Sequence, residues 1–113
     1  PINVFNNGNM YRDFTYINDI INGTLSAIDK NYNCEIFNLG NNKSEKIMEV
    51  ISLIEKTLGL QAIVNFQPIQ PGDPIKTCAD IKYSEEKIFY KPKTTIKNGI
   101  PKLIKWYKDY YNV

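Results

Sequence analysis

Arg12 is the one arginine of a chain that uses thirteen lysines, and it stands in the run Arg12-Asp13-Phe14-Thr15-Tyr16-Ile17-Asn18-Asp19-Ile20. A chain that takes lysine at every other basic position keeps a guanidinium where its planar fork matters, in bidentate recognition of a phosphate or carboxylate. Arg12 is therefore the first candidate for gripping an anion; the competing reading is a structural arginine paired with Asp13 or Asp19. A second spacing with chemical content is Tyr83-Ser84-Glu85-Glu86-Lys87, a Tyr-x-x-x-Lys in which an ammonium can lower the phenol pKa for proton abstraction. With many tyrosines and lysines in the chain, this match is read as chance.

What is missing limits the chemistry further. The chain has no histidine, which excludes imidazole-based triads and His-based zinc sites. Its six glycines form neither a G-x-G-x-x-G fingerprint nor a Walker loop, so no familiar cradle for a dinucleotide pyrophosphate is visible. Cys34 and Cys78 make no CxxC pair and follow no signal-like stretch, and a reduced, cytoplasmic setting is expected. Neither is read as catalytic, and the glycosylation patterns at Asn22 and Asn42 are read as chance.

The 113 residues suffice for one domain spanning 1–113. A net charge of +2 arises from lysines scattered among acidic residues, so no basic stripe points to nucleic acid, and no apolar run approaches a membrane span.

The elements that must position Arg12 can be read along the chain. Ile2–Phe5 and Tyr11–Tyr16 read as strands of a hairpin around Asn6-Asn7-Gly8-Asn9, residues that tolerate positive φ. Asn18 is placed to cap a helix to about Lys30 with Ile17, Ile20, Ile21, Leu25 and Ile28 on one face, and Gly23 marks close packing. Glu35–Leu39 reads as a strand closed by Gly40-Asn41-Asn42. A second helix follows, with Ile47, Val50, Ile51, Ile54 and Leu58 as its buried stripe and Gly59 ending it. Ala62–Phe66 reads as a strand, and Pro68, Pro71 and Pro74 then impose an irregular path. A short helix is expected over Ile81–Ile88 and a last one from near Thr95, with Pro101 imposing a kink or a displaced start. The fold class is mixed α/β, three to four short strands with three to four helices. No internal repeat or interdomain linker is present.

In this order the segments Gly8-Asn9-Met10-Tyr11-Arg12-Asp13-Phe14-Thr15-Tyr16-Ile17-Asn18-Asp19-Ile20, Phe37-Asn38-Leu39-Gly40-Asn41, Gln70-Pro71-Gly72-Asp73 with Thr77 and Ala79-Asp80, Lys91-Pro92 and Trp106-Tyr107 are similar to a known family. They resemble the C-terminal part of NAD-dependent nucleotide-sugar epimerases of the extended short-chain dehydrogenase type, the UDP-glucuronate branch most of all. The resemblance covers essentially the whole chain but only about the last third of such an enzyme; the dinucleotide-binding domain and the catalytic Tyr-x-x-x-Lys lie upstream in the family. It thus implies a piece that is inactive alone, with no catalytic residue of its own. NAD belongs to the intact enzyme and none is expected on this piece.

The resemblance implies a redox-neutral inversion at carbon 4 of the sugar. NAD takes a hydride to give a 4-keto intermediate, the sugar turns, and the hydride returns to the opposite face while the UDP stays anchored. By position in the motifs, Arg12 would contact the diphosphate, Asp73 the uridine ribose, and Thr77 would line the site. Gln70 stands where galactose epimerases carry arginine, which tilts the reading toward the glucuronate branch. Asp13 and Asp19 are expected to cap or orient local backbone, Asn38 and Gly40 to shape a strand exit, and Trp106 and Tyr107 to pack the last helix. Phe89 departs from the family, which usually has glycine there, and Pro101 departs as well.

The expected role is the UDP-sugar-binding portion of an epimerase serving surface polysaccharide synthesis. Two alternatives stand beside it: a piece of a 4,6-dehydratase or decarboxylase, and a non-enzymatic, self-associating remnant of a decayed gene. Intact Arg12 and Asp73 count against the remnant. Abundant isoleucine and aromatic residues lead to an expected homo-oligomer, with neither membrane nor nucleic acid as partner.

Overall fold

Ile2–Val4 (β1) and Tyr11–Asp13 (β2) are both strands, but they do not pair with one another as a hairpin. The computed structural model, which describes residues 1–113, shows why. Asn6 and Asn7 both take φ of 49° and Gly8 follows at 79°, so Phe5–Gly8 is a tight turn kinked by left-handed residues and not a regular helical turn. Asn7 N–H donates to the Gln67 carbonyl and Gln67 N–H to the Val4 carbonyl, tying the turn to a distant segment. Each strand then finds another partner. β1 runs parallel to Val64–Phe66 (β4), whereas β2 runs antiparallel to Ser44–Lys46 (β3), with Tyr11 opposite Lys46, Arg12 opposite Glu45 and Asp13 opposite Ser44.

The strand expected at Glu35–Leu39 does not form. Side chains hold this segment in place of ladder bonds: Ser84 Oγ donates to the Asn38 carbonyl (2.7 Å), Asn38 Nδ2 to the Asp80 carbonyl (3.1 Å) and Tyr90 Oη to the Gly40 carbonyl (2.8 Å). The ladder forms just beyond, in a three-residue polar stretch without any hydrophobic alternation to announce it.

Four α-helices complete the chain: Ile17–Lys30 (α1), Ile47–Leu58 (α2), Lys82–Ile88 (α3) and Ile96–Tyr111 (α4). α2 follows β3 directly, ends as expected at Gly59 with φ 69°, and packs against α4. α1 begins at Ile17 without a side-chain cap, one residue before the expected cap at Asn18. Its inward face is small, Gly23 with Ser26 and Ala27, and a Cβ on Gly23 would stand 2.6 Å from Tyr90 Cδ2. Of the isoleucine and leucine stripe, Ile17, Ile21, Leu25 and Ile28 face outward instead, with Ile17 61 % and Ile28 65 % exposed, while Ile20 is partly buried. α4 starts where expected and runs through Pro101, which leaves the Lys97 carbonyl without its helical partner. Trp106 and Tyr107 do not pack α4 into the core. They lie half exposed and stack on Tyr110 and Tyr111 one turn on.

The principal core is a cluster of Ile81, Ile88 and Tyr90 with Ala27, Phe37, Leu39 and Ala79 around it. Only 14 of 113 residues are buried, and the molecule is a slab of 48 × 37 × 19 Å. No helix is long and apolar enough to cross a membrane.

Two predictions arise from the end of α3. Phe89 caps the helix in the left-handed region at φ 57°, a conformation that costs a side chain about 1 kcal/mol and costs glycine little, which explains the family's glycine. Phe89→Gly should raise stability by about 0.5–1 kcal/mol, the lower figure if the Lys30 ammonium over the ring, 4.6 Å from its centroid, contributes; a lower denaturant midpoint would refute the strain. The neighbouring Tyr90 is buried, and that burial, with Asp19 and Asp13 nearby, pushes its phenol pKa above the ordinary value. The fold therefore keeps a proton that the unfolded chain releases above about pH 10, and the stabilisation, complete below that pH, is lost as pH rises further. Chemical denaturation from pH 8 to 11 should show this fall, and Tyr90→Phe should flatten it.

Candidate functional site

Gln70-Pro71-Gly72-Asp73 is a turn whose chemistry is explicit. Asp73 N–H donates to the Gln70 carbonyl at 3.2 Å, proline fixes the second position, and Gly72 takes φ of 81° at the third, as a type II turn requires. The turn sends the chain back alongside β2, where Tyr11 N–H donates to the Ile75 carbonyl and Thr77 N–H to the Tyr11 carbonyl. Two segments some sixty residues apart thereby bring Arg12, Asp73 and Thr77 to one place.

Arg12 pairs with Asp73 and not with Asp13 or Asp19. Its Nη2 donates to Asp73 Oδ1 at 2.6 Å, while Nη1 donates to the Tyr11 carbonyl at 2.8 Å and, more weakly, to the Ile75 carbonyl at 3.4 Å. Both side chains are about one quarter to one third exposed, at 26 % and 30 %. A guanidinium has five N–H donors, so these contacts orient it and leave donors free for an anion. Asp73 uses Oδ1 only, leaving Oδ2 for a hydroxyl. Thr77 Oγ1 accepts from Asp13 N–H at 3.2 Å, which makes it a brace of β2, and Gln70 is exposed at the mouth of the turn.

Three acidic residues around the site do work that residue type alone did not disclose. Asp13 accepts from three backbone N–H groups, Asn41 (2.8 Å), Asn42 (3.1 Å) and Ala79 (2.9 Å), and so joins β2 to both neighbouring loops. Asp19 accepts from Thr94 N–H at 2.9 Å. Both hold backbone, but across the fold and not locally as expected, because their N–H donors come from distant loops. Glu45, directly across the ladder from Arg12, is buried with its Oε1 2.7 Å from Lys43 Nζ. Nothing in its polar surroundings in the sequence marks it.

The Tyr83/Lys87 pair sits apart, on α3. Tyr83 Oη donates to Glu35 Oε2 at 3.0 Å, and that bond, ahead of burial, holds its pKa above the ordinary value, the wrong direction for a general base. No group of His, Cys, Asp and Glu is arranged to hold a metal ion.

No family model matches the chain. It is 50% identical over 108 residues to an uncharacterized protein of Methanocaldococcus jannaschii, covering 96% of this chain and 33% of that one. It is 32% identical over 121 residues to UDP-glucuronate 4-epimerase 3 of Arabidopsis thaliana, covering 95% of this chain and 28% of that one. The crystal structure of UDP-glucuronic acid 4-epimerase from Bacillus cereus in complex with UDP-glucuronic acid and NAD superposes with a TM-score of 0.88 at 34% identity, over 98% of this chain and 36% of that one. The chain is a C-terminal part of an extended short-chain dehydrogenase. It spans about a third of the length of the relatives it matches, from 28% to 39%. In this dehydrogenase-family portion the four strands have three residues each and the turns and side-chain bonds between them carry the candidate site, so its precision rests on Asp13 and the Gln70–Asp73 turn more than on sheet.

Proposed function

We propose that this chain is the part of a UDP-glucuronate-type 4-epimerase that holds the UDP while the sugar turns. Arg12 takes the diphosphate and Asp73 the ribose hydroxyls, with Gln70 and Thr77 beside them. The observation that carries this reading is the guanidinium of Arg12, aimed in advance by Asp73 and two backbone carbonyls with N–H donors left over. An anion meeting it bears little of the ordering cost that a free side chain imposes. The similarity to a UDP-glucuronic acid 4-epimerase structure supports UDP-glucuronate as the sugar nucleotide. NAD and the reacting carbon fall to the part of the enzyme outside this chain, which alone is inactive. The whole enzyme works in the cytoplasm in surface polysaccharide synthesis, and the outward apolar stripe of α1 favours a homo-oligomer.

The test is an NMR titration with UDP and UDP-glucuronate that follows the Arg12 side-chain N–H signals and the backbone amides of residues 70–77. Saturable shifts at both places are expected, and Arg12→Ala should weaken UDP binding about 30-fold, equivalent to about 2 kcal/mol for a lost charged hydrogen-bond donor. Unchanged affinity in Arg12→Ala, or no shift at millimolar ligand, would overturn the reading.

A further inference from the structure

We propose that Lys43 supplies a second positive charge to the diphosphate site, held beside Arg12 by the buried carboxylate of Glu45; this rests on the UDP reading above. The ladder register carries the argument. Arg12 lies directly opposite Glu45, so their side chains leave the β2–β3 pair on the same face, and Lys43, just before β3, reaches that face with its Nζ 2.7 Å from Glu45 Oε1. Lys46 pairs with Tyr11 and falls on the other face.

Glu45 is an unusual residue for this place. Its side chain is 8 % exposed, and Oε1 is buried without a hydrogen bond although Lys43 Nζ stands 2.7 Å away, so the contact is an ion pair out of hydrogen-bond alignment. A buried carboxylate left unsatisfied needs an account. Here it tethers an ammonium whose side chain is otherwise 62 % exposed, and that ammonium keeps N–H donors directed to solvent on the Arg12 face. Arg12 itself is already paired with Asp73, and one paired guanidinium balances a doubly charged diphosphate poorly. A planar fork on β2 and a point charge tethered to β3 match two linked phosphates better than either alone.

The probes are inorganic pyrophosphate and UDP, titrated at low salt into the unsubstituted chain and its Lys43→Met and Lys46→Met variants. Both variants remove the same charge, so a general charge effect predicts equal losses. The clamp predicts pyrophosphate binding about five- to tenfold weaker in Lys43→Met and less than about twofold weaker in Lys46→Met, the difference fading at high salt. Because Lys43→Met leaves Glu45 without its cation, Lys43→Met/Glu45→Gln is measured beside it and should stay as weak. Equal losses in the two single variants overturn the proposal, as does recovery in the double variant, since Lys43 would then only mask Glu45. Tight UDP with equal losses defeats the clamp and leaves the UDP reading standing. A Lys43-specific loss of pyrophosphate with UDP no tighter than pyrophosphate defeats the UDP reading and leaves the clamp. Absence of saturable binding by either probe overturns both.

Discussion

Asp13→Ala should destabilise the chain by roughly 4 kcal/mol, the largest effect expected of any single substitution outside the hydrophobic core. The carboxylate accepts from Asn41, Asn42 and Ala79, and alanine would leave all three N–H groups facing a void at the junction of β2 with two loops. Hydrogen bonds to a charged acceptor contribute about 1.5–3 kcal/mol each, and the partial exposure of Asp13 lets water recover some of that, which brings the sum down. Asp13→Asn separates charge from shape. Oδ1 serves one donor and Oδ2 two, so an amide can keep one side of the arrangement but turns an NH2 toward donors on the other. It should cost about half as much. In thermal unfolding Asp13→Ala should lower the midpoint by upwards of roughly 15 °C, and a shift below about 5 °C would show that water replaces the carboxylate without difficulty.

Gly40→Ala should cost about 3 kcal/mol at the same junction, through volume and not through hydrogen bonding. An added Cβ would overlap Ala79 Cβ outright and lie 2.8 Å from Asp13 Oδ2. Neither obstacle is the loose end of a long side chain: Ala79 flanks the core cluster, and Asp13 is fixed by its three donors. The backbone must move, and with it the Gly40 carbonyl that accepts from Tyr90. Paired with Ala79→Gly, which removes the harder obstacle, the loss should shrink by at least half in a double-mutant cycle. Additive losses would place the strain elsewhere.

Arg12 was legible because a lone guanidinium among thirteen lysines stands out by residue type alone, and Asp73 because the family motif names it. The meeting of the two was not legible, since it depends on the type II turn at Gly72 and on β2 leaving its expected hairpin. Asp13 and Asp19 were expected to act on local backbone because capping chemistry is local in sequence, whereas the partners of Asp13 lie 28 to 66 residues away. Helical periodicity found α1 and α2 alike. It cannot report which side a neighbour covers, and on α1 the covered side is the small-residue face. β3 escaped because Ser44-Glu45-Lys46 has no apolar residue to alternate. What makes it a strand is the ladder to β2, a contact across the chain.

A slab 19 Å thick leaves room for only a thin core, and the radius of gyration of 16.5 Å exceeds the roughly 13 Å of a rounded domain of this length. Unfolding therefore uncovers less apolar surface per residue than a globular chain does. The heat-capacity increment should fall below the usual 12–15 cal/mol/K per residue, and the dependence on denaturant should be shallow in proportion. Stability would then follow a low, broad curve with temperature. Whatever closes over the open faces sets the curvature as well as the height of that curve, which makes the thermal behaviour of this chain a property of its contacts more than of its own core.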